Sequence, residues 1–211
     1  MKGKAKTLAI ILVLVIIGFI AYGFIARTSE IETHASSTIG DAKWTIVLLD
    51  KNGNPVELSP SLSLFGATIY KPLAFYYRGT EVTRLRITCT ASGYTRGATL
   101  DIHHVVTAKV RKEKGSFTID VSGEKNIVDK TETIDIVDGS WSYRSDDVVS
   151  LLTILGDVGD GTYRITIIAS ITVTAPDGTE VSMTSDPVDI VITKQSSEIS
   201  IDSIRLYVRP D

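Results

Sequence analysis

The stretch Thr162–Thr174, with the sequence TYRITIIASITVT, alternates between apolar and polar side chains. Successive side chains of a β-strand point to opposite faces, so a period of two predicts a long strand with one buried face. The predicted buried face consists of Tyr163, Ile165, Ile167, Ala169, Ile171 and Val173. The opposite face carries mostly polar side chains, including Arg164, Thr166, Ser170 and Thr172.

Shorter segments of the same kind recur on both sides of this stretch. Turn sequences such as Lys51–Pro55 and Ala175–Gly178 separate them, and Asn-Gly and Pro-Asp-Gly favour tight hairpins. Many short strands with almost no helix predict an all-β fold, an antiparallel β-sandwich. The remaining predicted strands are Lys43–Asp50, Glu81–Ala91, Ala98–Lys112, Phe117–Val121, Thr131–Val137, Thr179–Thr184, Val188–Thr193 and Ile199–Val208.

One segment, Ser145–Leu155, is predicted to be helical. Ser145 can cap its first turn, where two aspartates would also face the positive end of the helix dipole. Val148, Val149, Leu152 and Leu155 would then form one apolar face, and Gly156 would end the helix.

The N-terminus differs from the rest of the chain. Residues 1–6 carry three lysines, and residues 7–26 (TLAIILVLVIIGFIAYGFIA) contain no charge. At about 1.5 Å per residue a helix of this length spans roughly 30 Å, the thickness of the hydrocarbon core of a bilayer. Because positive flanks stay in the cytoplasm, we expect a single-pass signal anchor with a cytoplasmic N-terminus and an extracellular C-terminal domain.

Two other interpretations of this segment remain open. It resembles a cleavable signal peptide with Ala21-Tyr22-Gly23 as a small-x-small cleavage site, although apolar character continues past that site. It also resembles a pilin-type leader, in which a peptidase cuts before the apolar run and the run becomes a filament core.

The chain is thus expected to consist of four parts. Residues 1–6 form a cytoplasmic tail, residues 7–26 a transmembrane helix, residues 27–42 a juxtamembrane stalk and residues 43–211 one extracellular β-sandwich domain. The polar, small side chains of Arg27–Gly40 suggest the stalk. No Pro/Gly/Ser-rich linker divides the remainder, so we expect one domain.

Cys89 is the only cysteine, so no intramolecular disulfide can form. It lies in the alternating segment Leu85–Ala91, on the same predicted strand face as the apolar side chains of Leu85 and Ile87. We therefore expect a buried, unreactive thiol and a fold held together by its apolar core.

Two local features resemble the immunoglobulin-like and fibronectin-III-like superfamily. Leu85–Gly93 (LRITCTASG) is similar to the B strand of such domains, and Asp160-Gly161-Thr162-Tyr163 resembles a tyrosine corner that opens strand F. The resemblance implies that the Tyr163 hydroxyl bonds to backbone just upstream. It also implies that Ile165, which replaces the second cysteine, packs against Cys89. A scaffold of this kind does not define one function.

Polar motifs give little support for catalysis or metal binding. Asp101 and His103 share a strand face, but they supply only two ligands, and the adjacent His104 points the other way. Asp50–Asn54 matches the start of a calcium loop without its later ligands, so turn geometry explains it. Nucleophile, Walker and His-Glu-x-x-His motifs are absent from the sequence. We therefore expect a non-enzyme with no cofactor and no metal.

The charge distribution bears on the partners. The formal net charge is −3, and the part beyond the three N-terminal lysines carries −6. This argues against binding nucleic acid, or anionic lipid, through charge alone. We interpret the densest basic stretch, Lys109–Lys114, as a solvated strand end or hairpin tip.

Four aromatic residues are the candidate interface: Tyr70, Phe75, Tyr76 and Tyr77. If Ala67–Tyr77 is a strand, one of the two adjacent tyrosines faces outward, and exposed aromatic residues are favoured at interfaces.

These observations predict a membrane-anchored, non-enzymatic cell-surface protein for adhesion, envelope organisation or complex assembly. Its partners would be the membrane, through the N-terminal helix, and a protein or a second copy of the chain. The alternative is a processed subunit of an extracellular filament or coat, in which Thr28–Ile39 or Ile199–Val208 donates a strand to a neighbour.

Overall fold

The computed structural model describes residues 27–28, 30–58 and 73–206, with side chains described for 30–56 and 80–204. The apolar run at 7–26 and Tyr70 lie outside these ranges. Among the described residues, no helix has both the length and the apolar character needed to cross a bilayer.

The described chain is all-β apart from one short helix, and every strand pairing is antiparallel. The elements are β1 Arg27–Thr28, β2 Glu30–Ser37, β3 Gly40–Leu49, β4 Glu57–Leu58, β5 Leu73–Glu81, β6 Arg84–Tyr94, β7 Thr99–Lys114, β8 Phe117–Asp120, β9 Lys125–Asp135, β10 Ser140–Ser150, α1 Leu151–Leu155, β11 Gly161–Thr174, β12 Glu180–Thr184, β13 Val188–Gln195 and β14 Glu198–Leu206.

The strands form two main sheets. The four-stranded sheet has the order β10-β6-β3-β2. The eight-stranded sheet has the order β5-β14-β13-β11-β7-β8, with β12 also paired to β11 and β9 also paired to β7. β1 and β4 form a separate two-stranded ribbon. The result is a β-sandwich-like fold.

The strand predicted at Thr162–Thr174 is confirmed as β11, and every second residue of it is buried. Its apolar face joins one continuous hydrophobic core with the inward residues of β7, β13 and the four-stranded sheet. The largest fully buried side chains include Trp44, Ile46, Leu48, Leu85 and Ile87 from the four-stranded sheet. The alternating pattern therefore supplies both inner faces of the core.

The helix predicted at Ser145–Leu155 is wrong for its first half. Residues up to Ser150 continue β10 and pair with β6, with Ser145 opposite Cys89 and Ser150 opposite Arg84. Only Leu151–Leu155 is helical, and the side chain of Ser150 makes no capping hydrogen bond. Eleven consecutive residue pairs with β6 outweigh the capping signals, and β-branched valines suit the strand.

The stalk predicted at 27–42 is also wrong. Residues 30–37 form β2, which pairs with β3 along its whole length, and Ile31 and Thr33 point into the sandwich. The sandwich therefore begins at Glu30 rather than at residue 43. The segment contains few apolar residues because β2 is an edge strand with an exposed outer face.

Two sets of turns close the two ends of the sandwich. At the proximal end, where the described chain begins, lie the Asp50–Pro55 turn, α1 and the Gln195–Glu198 turn. The backbone N–H of Val82 donates to the carbonyl of Ile199 there, over 2.8 Å, and links the two sheets. At the distal end lie the Ser37–Gly40, Val137–Ser140 and Ala175–Thr179 turns, and Thr95 donates to the carbonyl of Gly139 over 2.9 Å.

Two glycines face each other across β3 and β6 at the distal end. Gly40 and Gly93 are register partners, and a Cβ atom on Gly93 would collide with the carbonyl oxygen of Ile39. The colliding atom belongs to the backbone, so the strands must separate to accept a side chain. Glycine is required here by the close approach of two strands.

We expect Gly93→Ala to lower the free energy of unfolding by about 1–3 kcal/mol, because the added methyl overpacks a backbone contact. The matched control is Gly123→Ala, since no atom lies within 4 Å of a Cβ there. Urea unfolding followed by tryptophan fluorescence measures both. Equal stability of the two variants would contradict the close approach.

Candidate functional site

A buried polar cluster lies in the core around His104. The imidazole is fully buried, at 0 % exposure, on the inner face of β7. Trp44 of the opposite sheet donates its Nε1–H to Nε2 of His104 over 3.1 Å. The Nδ1 atom lies 3.2 Å from the Oγ of Ser145 and 3.5 Å from the hydroxyl of Tyr143. The cluster therefore joins the two sheets.

These contacts define the tautomer of His104. An indole nitrogen can only donate, so Nε2 must be the unprotonated acceptor. The proton of the neutral ring then sits on Nδ1 and is donated to Ser145. The ring of Tyr143 packs edge-on against the imidazole, with 5.9 Å between centroids.

This geometry does not provide a nucleophile and its base. Burial lowers the pKa of His104 to about 4; Lys130 and His103 act in the same direction, and Asp147 opposes them. The acceptor nitrogen is occupied by Trp44, so it cannot take a proton from Ser145. Burial, followed by the charge of Asp147, raises the pKa of Cys89 to about 12. The thiol is therefore protonated at neutral pH, and the cluster acts as an internal brace.

The structure places the three residues singled out by the superfamily resemblance in the core. The hydroxyl of Tyr163 donates to the carbonyl of Gly159 over 2.7 Å, four residues upstream, as a tyrosine corner implies. Cys89 and Ile165 are both fully buried, belong to the same hydrophobic cluster and come from different sheets.

The predicted aromatic interface is described only in part. Tyr70 lies outside the described residues. Phe75, Tyr76 and Tyr77 lie in β5, an edge strand that pairs with β14, although their side chains are not among those described. Phe75 is opposite Ile204, and Tyr76 is opposite Ser203.

The polar motifs of the sequence have separate partners. Thr133 donates to Asp101 over 2.5 Å, and the Nε2 of His103 lies 2.9 Å from Asp129. The carboxylate of Asp50 accepts the backbone N–H groups of Asn52 and Asn54, each at 2.8 Å, which closes the turn. In the part of the chain with described side chains, no group of three His, Cys, Asp or Glu residues could hold a metal ion.

A shallow polar groove of about 680 Å³ lies on the outer face of the four-stranded sheet, towards its distal end. Its floor includes short hydroxyl side chains from three of the four strands: Ser36, Thr90, Ser92 and Ser142. Longer polar side chains stand beside this floor: His34, Asp41, Lys43 and Arg144. We call this surface the polar groove. The strand register creates it by aligning outward-facing polar side chains across the sheet, since Asp41 is opposite both Ser36 and Ser92, and Ser92 is opposite Ser142.

The charges of the polar groove are partly compensated. Lys43 forms an ion pair with Glu32, whose pKa is lowered chiefly by this hydrogen bond. His34 lies 4.0 Å from the same carboxylate. Arg144 is exposed beside Thr90. The groove therefore offers both hydrogen-bond donors and hydrogen-bond acceptors with little net charge, which suits a polar partner surface.

Comparisons with protein-family models, curated proteins and solved structures find no match to this chain.

The His104 cluster and the polar groove were not predicted. A signal for the first exists, because His104 occupies an apolar position in the alternating run from Leu100 to Val110. No signal identifies Trp44 as its partner, since the two residues are 60 positions apart. The groove depends on strand order, which the sequence does not reveal.

The His104 cluster makes stability depend on pH. The pKa of His104 is lower in the folded than in the unfolded chain, so the unfolded state binds more protons between pH 6.5 and about 4. The contribution of the neutral His104 to the free energy of unfolding is complete above about pH 6.5 and is lost as the pH falls towards 4. We expect a loss of about 2 kcal/mol between pH 7.5 and 5 in urea unfolding.

His104→Gln is the informative variant for this effect. Its amide can accept from Trp44 and donate to Ser145, yet it does not titrate. The wild-type chain should lose more stability than this variant on going to pH 5. Identical losses in the two proteins would show that His104 is not the titrating group.

Proposed function

We propose that this chain is a membrane-anchored, non-enzymatic cell-surface protein. An apolar N-terminal helix would hold an immunoglobulin-like β-sandwich outside the membrane, where it contributes to adhesion, envelope organisation or complex assembly. The assignment to the immunoglobulin-like class is supported by the corner at Tyr163 and by Cys89 and Ile165 in one core.

The observation that carries this proposal is the short connection between the apolar run and the sandwich. The run ends at Ala26, and β2 begins at Glu30. Three intervening residues reach at most about 10 Å. If residues 7–26 cross the bilayer, the proximal end lies next to the membrane surface and the domain cannot move far from it.

The polar groove is the surface that we assign to a partner in this arrangement. It lies towards the distal end, on the outer face of the sheet, and so points away from the attachment point. A sheet face with hydroxyl, imidazole and guanidinium groups can meet a polar protein surface or a glycan without large conformational change.

Membrane fractionation tests the anchor. The full-length chain should stay in the membrane pellet through a high-salt wash and be released only by detergent. We expect Leu14→Lys combined with Ile17→Lys to abolish this retention, because each lysine costs about 2.5–3.5 kcal/mol at the centre of a transmembrane helix.

Leu14→Val combined with Ile17→Val is the matched control, since it keeps the run apolar. N-terminal sequencing of the retained protein should give a start near Met1. A mature chain that begins after Gly23 and is released by salt alone would refute the anchor and favour the cleaved form.

Photo-crosslinking tests the polar groove. A benzoylphenylalanine residue at Thr90, on the groove floor, should give adducts of higher mass in intact membranes. The control position is Thr131, which is exposed on β9 of the other sheet. Adducts at Thr131 but not at Thr90 would locate the partner surface elsewhere.

A subunit of an extracellular filament or coat is the second candidate function. It is favoured by the edge strand β5, which could accept a strand from a neighbouring copy. The expected donors are less favourable, because residues 30–37 and 198–206 pair within their own chain as β2 and β14. Sedimentation of the detergent-solubilised chain distinguishes the candidates, since a monomer at all concentrations opposes a filament.

A further inference from the structure

An exposed apolar stripe runs along β8 at the edge of the eight-stranded sheet. Phe117 is 61 %, Ile119 41 % and Val121 39 % exposed. They alternate along the chain, so they share one face. Phe117 pairs with Lys114 and Ile119 with Lys112, which places the stripe on the same side of the sheet as the buried Val110. We call Phe117, Ile119 and Val121 the apolar stripe.

The apolar stripe continues the inner face of the eight-stranded sheet past the part of that face that the other described elements cover. Paired residues on neighbouring strands point to the same side, so the stripe extends the inner face of β7 past Val110. Three large apolar side chains in a row at an open edge are unusual for a solvated surface and mark an interaction site.

The position of the stripe identifies the kind of partner. Lys112 pairs with Tyr163, so the end of β7 lies beside the start of β11. Gly161, the first residue of β11, pairs in turn with Lys194, which lies next to the Gln195–Glu198 turn. This turn belongs to the proximal end, where Ser197 and Ile199 line a cleft with Lys51 and Arg84. Phe117 therefore lies at the end of the sandwich from which the chain leaves towards residues 7–26.

The charges around the stripe fit a phospholipid surface. Lys112 and Lys114 share the face of the stripe, because they pair with Ile119 and Phe117. Lys109 and Arg111 lie on the other face, where both form ion pairs with Asp120. Lys114 is exposed beside Phe117, and the charged end of Lys112 is held on the carbonyl of Asp160 at 2.9 Å. An aromatic apex beside an exposed lysine can insert into the headgroup region while the ammonium group of Lys114 reaches phosphate.

We propose that the apolar stripe docks on the outer lipid surface of the bilayer that holds the N-terminal helix. The inference rests on the proposed anchor. The net charge of the domain opposes a purely electrostatic attachment, so the apolar side chains supply the contact and Lys114 orients it. Two points of attachment, the helix and the stripe, then fix the orientation of the sandwich on the membrane.

Tryptophan fluorescence of the full-length chain in phosphatidylcholine liposomes tests this contact. Phe117→Trp keeps the stripe aromatic and adds a reporter to the buried Trp44 and Trp141. Tyr94→Trp is the matched control, because Tyr94 is 78 % exposed at the distal end. Replacing the lipid with brominated phosphatidylcholine should quench the added emission of Phe117→Trp by about half or more, since side chains that insert about 5–10 Å reach the bromine atoms. Tyr94→Trp should be unaffected.

Flotation of the same liposomes separates the possible failures. Protein that floats while Phe117→Trp remains unquenched overturns the docking of the stripe and leaves the anchor standing. Blue-shifted but unquenched emission that depends on protein concentration would assign the stripe to a second copy of the chain instead. Protein that does not float refutes the anchor, and the docking falls with it.

Discussion

The ladder between β7 and β11 is the contact on which the rest of the structure depends. Twelve consecutive residue pairs join these strands, from Tyr163 opposite Lys112 to Thr174 opposite Asp101. Both strands alternate strictly, so a slip by one residue would turn every buried side chain to the solvent. β13 and β12 then pair with successive parts of the other edge of β11, and β9 and β8 with successive parts of β7. The long ladder thereby sets the register of the whole eight-stranded sheet.

The four-stranded sheet is aligned on this ladder without a disulfide. Its most specific contact is the hydrogen bond from Trp44 to His104, which requires one tautomer and one relative position of the two sheets. Breaking it would leave a buried donor and a buried acceptor unpaired, and such groups are costly. Trp44 is the register partner of Cys89, so the brace lies beside the buried thiol in the middle of the core.

The sequence predicts the strands with the strongest alternation and misses features that depend on strand order. β11 lies within one residue of its predicted bounds, because its one buried face imposes a period of two. The segment at Ser145 has the local capping signals of a helix, whereas its pairing with β6 is not visible in the local sequence. Residues 30–37 have the polar composition of a stalk because an edge strand buries only a few side chains. The His104 cluster and the polar groove arise only when strands distant in sequence become neighbours.

The position of β2 limits how far the sandwich can move relative to the N-terminal apolar run. A flexible stalk would let a domain tumble above a membrane. Under the proposed anchor, a strand that starts three residues after the apolar run would instead tie the domain to the membrane. With one attachment the sandwich could still rotate about that short connection. The strands β8 and β2 lie on opposite sides of the β7–β11 ladder. β8 pairs with β7, whereas β2 contacts β12, and β12 pairs with the edge of β11 that faces away from β7. An apolar contact at β8 would therefore oppose rotation more effectively than one beside the helix. The two edges together would hold the polar groove at a constant orientation towards the outside.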